Sequence, residues 1–183
     1  MNGSIPSATF SLDIQIAPDL ADPPAARILQ NDLEACLAAL AQTLPELNRQ
    51  SLSRDICVRL CDEAESQELN RVYRDRDKPT NVLSFGVPEA AYVTAESAEL
   101  LDDVPVMPLG DLAICWPIVV QEARQQHKTA NHHVSHLLIH GVLHLMGWDH
   151  ETAAEALAME KIECAALAHL GIADPYRGEA IDA

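Results

Sequence analysis

The chain has 183 residues, enough for one domain with a real hydrophobic core and a tight fit for two. Apolar residues make up 48% and charged residues 22%, the mix of a globular protein, while aromatics at 4% leave the core to Leu, Ile, Val and Ala. A formal net charge of −16, from 28 acids against 12 bases, argues against broad non-specific binding to nucleic acid, because neutralising phosphates needs Lys and Arg.

Met1 to Ala8 carries no positive charge and no apolar run, so no signal peptide is expected, and no stretch reaches the ~20 apolar residues of a spanning helix. The five cysteines are odd in number and include no C-x-x-C, which points to a reducing compartment rather than a disulfide framework. The expected location is the cytoplasm, with no membrane partner.

Phe10 to Ile16 alternates apolar with polar and reads as a strand. From about Ala26 to Leu44, Leu29, Leu33, Cys36, Leu37, Leu40 and Leu44 recur at steps of three and four, the pattern of an amphipathic helix. Ile56, Val58 and Leu60 mark a second strand. Asp62 with Glu65 has the spacing of a capping box and opens a helix to about Tyr73. Pro79 stops that helix, and Asn81 to Phe85 reads as a third strand. Residues 87–108 are acidic, Pro-punctuated and aperiodic, a long loop or flap. Asp111 to Cys115 is a fourth strand. Helices are then expected at about 117–127, 131–146 and 152–170, with Gly147 and Gly171 at C-cap positions.

Strands early and helices late predict an α+β fold: a small mixed four-stranded sheet packed with helices. A single domain over 1–183 is expected, with 1–9 and 177–183 as loosely ordered tails. Arg71, Arg74, Arg76 and Lys78 concentrate four of the 12 basic residues in one short segment, the local basic site that an RNA substrate would require.

The segment His140-Gly-Val-Leu-His-Leu-Met-Gly-Trp-Asp-His150 carries the chemistry. Residues four apart share a helix face, so His140 and His144 can point at one ion. Gly147 can take positive φ and reverse the chain, bringing His150 back beside them. Three imidazoles leave the fourth tetrahedral position to water, the arrangement of a catalytic rather than a structural zinc site. His136 is a rival, but it lies eight residues from His144, about 12 Å along a helix, so the two cannot share an ion. It is expected at the surface or behind the ligands. The spacing alone also matches the metzincin metalloproteases, whose general base is a Glu directly after the first His. Here that position is Gly141, which speaks against peptide hydrolysis.

These residues, His140-Gly-x-Leu-His-Leu-x-Gly-x-Asp-His150, resemble the signature of the YbeY family of bacterial, metal-dependent, single-strand-specific endoribonucleases. Tyr73 to Phe85 resembles the family's Arg-bearing loop and central strand, Leu109 to Cys115 its next strand, and Asp174-Pro-Tyr176 its C-terminal end. The likeness covers about 54–176. Gly86 departs from the Pro expected there, and Trp148 from a more usual Tyr. The resemblance implies His140, His144 and His150 as ligands of one Zn²⁺ with water as the fourth, and Arg74 as the catalytic arginine. Asp149 is carried as a further candidate catalytic residue, either orienting a ligand from behind or shaping the turn after Gly147.

The implied substrate is single-stranded RNA. The implied work is ribosomal RNA processing, including maturation of the small-subunit 3′ end, and ribosome quality control, in association with the small ribosomal subunit and its proteins. DNA is not an expected partner. Two other readings remain: a metallohydrolase of another class, such as a peptidase, and a ribosome-assembly factor whose metal is mainly structural.

Overall fold

The computed structural model describes residues 11–24, 26–45, 52, 54–87 and 108–177. Strands β1 (Leu12–Ile16), β2 (Ile56–Cys61), β3 (Val82–Gly86) and β4 (Gly110–Cys115) form one sheet in the order β1-β2-β4-β3. β1, β2 and β4 run parallel, and β3 closes the edge antiparallel to β4, with Ser84 opposite Leu112. The helices are α1 (Ala26–Thr43), α2 (Glu63–Arg74), α3 (Trp116–Gln125), α4 (Ala130–Leu145) and α5 (Ala153–His169). The mixed four-stranded α+β fold is the one expected from the sequence. The acidic 87–108 stretch lies almost wholly outside the described residues, as do residues 1–9 and most of 177–183.

Alternation along the strands divides the core into two faces. Ile56, Val58 and Leu60 of β2 and Leu112 and Ile114 of β4 join the larger core, with α1, α4 and α5 packed over them. Leu33, Leu37, Leu40 and Leu44 supply the α1 side, each at most 1% exposed. Burying each such side chain contributes ~1.5–3 kcal/mol. The opposite face holds a smaller cluster of Cys61, Leu83, Ala113 and Cys115, covered by Leu69, Phe85 and Ile118.

Local chemistry sets the ends of the elements. Asp62 caps α2, accepting from the Glu65 amide at 2.8 Å. The reciprocal half of the expected box is not made, because the Glu65 carboxylate turns to Arg59 in a bidentate pair at 3.0 and 3.1 Å. A complete capping box opens α5 instead, between Thr152 and Glu155. At the end of α4, Gly147 takes φ 85°. The amides of Gly147 and Trp148 return to the carbonyls of His144 and Leu143, both at 3.0 Å. This Schellman closure turns the chain back toward the helix.

Candidate metal centre

α4 emerges over the sheet with its Gly141 against β4 and β3. A Cβ placed on Gly141 would stand 2.8 Å from Leu112 Cδ2 and 3.3 Å from Ser84 Oγ. Ser84 donates its hydroxyl to the Gly141 carbonyl at 3.2 Å, tying the edge strand to the helix. Asn81 joins the start of β3 to α3, donating to the Glu122 carboxylate at 3.1 and 3.3 Å.

The next face of α4 carries His140 and His144, one turn apart, and the glycine turn delivers His150 to them. One nitrogen from each ring lies within 4.8 Å of the others. The ring centroids are 4.6 Å apart for His140 and His144, 4.9 Å for His144 and His150, and 5.6 Å for His140 and His150. The Nε2 atoms of His140 and His144 approach to 3.1 Å. Two lone pairs at that distance repel unless a proton or cation lies between them. Ligands bound at the usual ~2.0–2.1 Å to one tetrahedral zinc are about 3.3 Å apart, so the donor set fits such an ion. Burial, followed by the neighbouring His140 and His150, holds His144 below its ordinary pKa and keeps its ring neutral, the form that offers a lone pair. These three residues could hold a metal, as the sequence spacing anticipates.

His136 lies one turn before His140 and stays out of this group. Its Nε2 is 3.1 Å from Glu163 Oε2, behind the three converging histidines rather than among them. Arg74 ends α2, where Asp75 in the left-handed region (φ 56°) turns the chain. Its guanidinium donates to the Ser84 carbonyl at 2.9 Å and the Tyr73 carbonyl at 3.2 Å, and stands 5.8 Å from the centre of the Phe85 ring. Arg74 is therefore fixed on the edge strand, whose Ser84 is bonded in turn to the residue following His140. Within the basic segment, Arg71 is paired with Glu68 at 2.6 Å. Asp149 accepts from the His150 amide at 2.8 Å and so shapes the turn that presents His150.

Sequence reasoning passed over Glu163. This carboxylate is 1% exposed and accepts from His140 Nδ1 at 2.8 Å. It also accepts from His136 and from the Tyr176 hydroxyl. Burial opposes its charge, but these three hydrogen bonds outweigh burial and hold its pKa at about 2, so it is ionised. Burial and then the Glu163 carboxylate push the Tyr176 phenol up, keeping it a donor. A signal for Glu163 exists in the sequence: Met159, Glu163, Ala166 and Leu167 form the buried stripe of α5, so a lone acid occupies a core position. A cavity of about 190 Å³ lies between α4 and α5, lined by His140, His150, Met159, Glu160, Glu163 and Tyr176. A larger one of about 630 Å³ lies on the other side of Tyr176, lined in part by His133, His136 and Lys128.

A four-stranded α+β scaffold with three converging imidazoles and a buried carboxylate behind one of them defines a protein that could hold a metal ion. Residues 24–171 match the family described as Endoribonuclease YbeY. An endoribonuclease YbeY of Stenotrophomonas maltophilia is 52% identical over 127 residues, covering 68% of this chain and 73% of the relative. That of Alkalilimnicola ehrlichii is 53% identical over 122 residues, covering 67% and 68%. That of Acinetobacter baumannii is 51% identical over 126 residues, covering 67% and 74%. A Thermotoga maritima protein of known solution structure superposes over 86% of this chain and 91% of its own, with TM-score 0.49 and 24% identity. This chain belongs to the YbeY endoribonuclease family, whose members hydrolyse RNA. The family match begins at residue 24 and so takes in α1, beyond the span that the motifs alone delimit.

Proposed function

We propose that this chain is a zinc-dependent endoribonuclease that cleaves single-stranded RNA as a single-domain enzyme. In this reading it acts in ribosomal RNA processing, at the 3′ end of the small-subunit RNA, and in ribosome quality control, with the small ribosomal subunit and its proteins as partners. The cytoplasm is its compartment. Five free cysteines support that location, and among the described residues no helix is long and apolar enough to cross a membrane. The observation that carries the reading is the convergence of His140, His144 and His150, which supplies three protein ligands where structural zinc sites use four.

His140, His144 and His150 would hold the ion. When bound, it would lower the pKa of a water and polarise a phosphoryl oxygen. The chain's own residues do the rest. Glu163 holds the His140 Nδ1 proton, which leaves Nε2 free as a ligand. Asp149 fixes the His150 amide and the turn that aims its ring. Arg74, held by two backbone carbonyls, keeps a planar cation beside the edge strand, where it can bind a phosphate and offset charge in the transition state. Gly141 leaves no room for the glutamate base of a metzincin peptidase, which favours RNA over peptide as the substrate.

The deciding experiment is cleavage of single-stranded ribosomal RNA by the purified protein beside His144→Ala prepared identically. Cutting by the first and none by the second is the expected result. Equal cutting by both identifies a contaminating nuclease and refutes the reading. The end groups on the products then distinguish attack by water from attack by the neighbouring 2′-hydroxyl.

A further inference from the structure

The Asp174-Pro-Tyr176 turn and Glu163 form one hydrogen-bonded unit behind the metal ligands, and nothing in the reaction described above uses the turn. Asp174 Oδ1 accepts from the Tyr176 amide at 2.9 Å and from the Cys164 thiol at 3.3 Å, which seats the turn on α5. The Tyr176 hydroxyl reaches Glu163 Oε2, and His136 Nε2 meets the same oxygen at 3.1 Å. Glu163 Oε1 is left for His140 Nδ1 at 2.8 Å. The far nitrogen of the same ring is the one that approaches His144 Nε2 at 3.1 Å.

We propose that Glu163 is a positioning residue of the metal centre, fixing the tautomer and orientation of His140, and that Tyr176 and His136 lock its carboxylate in the rotamer that does so. This rests on the three-histidine site binding a metal. The Glu163 oxygens are the acceptors of this cluster, with Tyr176 and His136 on Oε2 and His140 on Oε1, so the His140 nitrogen facing Oε1 is the donor. With Nδ1 engaged by Glu163, the nitrogen of His140 left to bind a cation is Nε2, on the side of His144. Were Oε1 free to rotate, the ring would be released with it. Tyr176 and His136 both engage the other oxygen, and so hold the rotation. The buried carboxylate would also stand one imidazole away from an ion held by His140, where little solvent screens it. Contacts of this kind are worth ~10–100-fold in metal affinity. The C-terminal turn thereby becomes part of the metal centre, although it supplies no ligand.

The test is the zinc dissociation constant, measured by chelator competition on the full-length protein, for the parent chain, Glu163→Gln and Tyr176→Phe. Each is also loaded with Co²⁺ to record its d–d absorption, and the melting temperature of each metal-free form is taken. Glu163→Gln is expected to weaken zinc by ~10–100-fold and to shift the cobalt bands, because an amide can present its N–H to His140 and carries no charge. Tyr176→Phe is expected to weaken zinc less, by several-fold, and to shift the bands in the same direction.

A merely structural Glu163 would lower the metal-free melting temperature and leave zinc affinity and cobalt spectrum unchanged, and that result overturns the proposal. Should Glu163→Gln fail to fold, Tyr176→Phe decides alone: unchanged affinity and bands overturn it, a weaker site with shifted bands supports it. A parent chain that binds neither ion removes the metal site itself and this inference with it. A parent chain that binds zinc and cuts RNA while both variants match it removes the inference alone.

Discussion

Gly141 and Leu112 are packed so closely that a single added carbon on the glycine would stand 2.8 Å from the leucine Cδ2. Leu112 is fully buried, so it has little room to yield. The contact explains why the position after His140 carries no acid here: the helix sits too close to the sheet for a side chain. Gly141→Ala is expected to destabilise the fold by about 1 kcal/mol, overpacking of ~1–3 kcal/mol being partly offset by ~1 kcal/mol of helix propensity. Gly141→Glu, which restores the metzincin pattern, is expected to cost about 3–5 kcal/mol by forcing an unpaired carboxylate against Leu112. Denaturant unfolding measures both. The glutamate variant should also leave a peptide panel intact, and peptide cleavage by it would overturn the steric argument.

The metal should act on stability as well as on chemistry. A ligand that binds only the folded state stabilises it by ~2.7 kcal/mol at a hundredfold excess over its dissociation constant. Chelation is therefore expected to lower the melting temperature of the parent chain and to abolish RNA cleavage, with both restored by added zinc. His144→Ala should show the lower melting temperature from the start, no response to chelator, and at least ~100-fold less cleavage, since removing a ligand exceeds the loss of a supporting contact. A variant that still gains stability from zinc would place the ion elsewhere.

Local pattern was enough for the strands, the helices and the convergence of the three histidines. The leucine period of α1, the alternation of β2 and the glycine after α4 each depend on neighbours in sequence, and the three histidines lie within eleven residues. What escaped depends on contacts between distant segments. The stripe of α5 marks Glu163 as a core acid, but its partner His140 lies 23 residues earlier across the α4–α5 packing, so no spacing rule joins the two. The Asp62–Glu65 pair shows the opposite failure. The spacing predicts a reciprocal box, but Arg59 on β2 competes for the glutamate, and a bidentate ion pair wins over one backbone hydrogen bond. The edge position of β3, which seats Arg74 on the Ser84 carbonyl, follows from sheet order and not from the strand's own residues.

His133 makes the metal-free protein sensitive to acid. Its side chain is 4% exposed and its Nε2 lies 2.6 Å from Glu122 Oε2. Burial holds its pKa below the ordinary 6.5, with Lys128 and His136 acting in the same sense and Glu122 only partly offsetting them. Below about pH 6.5 the unfolded chain therefore takes up this proton before the folded one. The contribution to stability is full above that pH and is lost as the pH falls through the depressed folded value. The melting temperature of the metal-free chain should fall from about pH 7.5 to about pH 5.5. His133→Gln, which can still donate to Glu122 but does not titrate, should flatten that slope. A slope unchanged in the variant would assign the acid sensitivity to another group.

Arg74 offers a way to test binding of a metal apart from its use. Its guanidinium touches two backbone carbonyls and the Phe85 ring, and no proposed ligand. It is exposed, so its removal should change stability by no more than about 1 kcal/mol. If it binds phosphate and offsets charge in the transition state, Arg74→Ala should reduce single-turnover RNA cleavage by about 10²–10³-fold. Zinc affinity should remain that of the parent chain. Arg74→Lys should recover only part of the activity, because a single ammonium cannot reproduce a two-pronged contact with phosphate. Cleavage that survives Arg74→Ala would reduce this arginine to a cap on the edge strand. A parallel loss of zinc would instead show that the edge strand, through Ser84 and Gly141, supports the ligand helix.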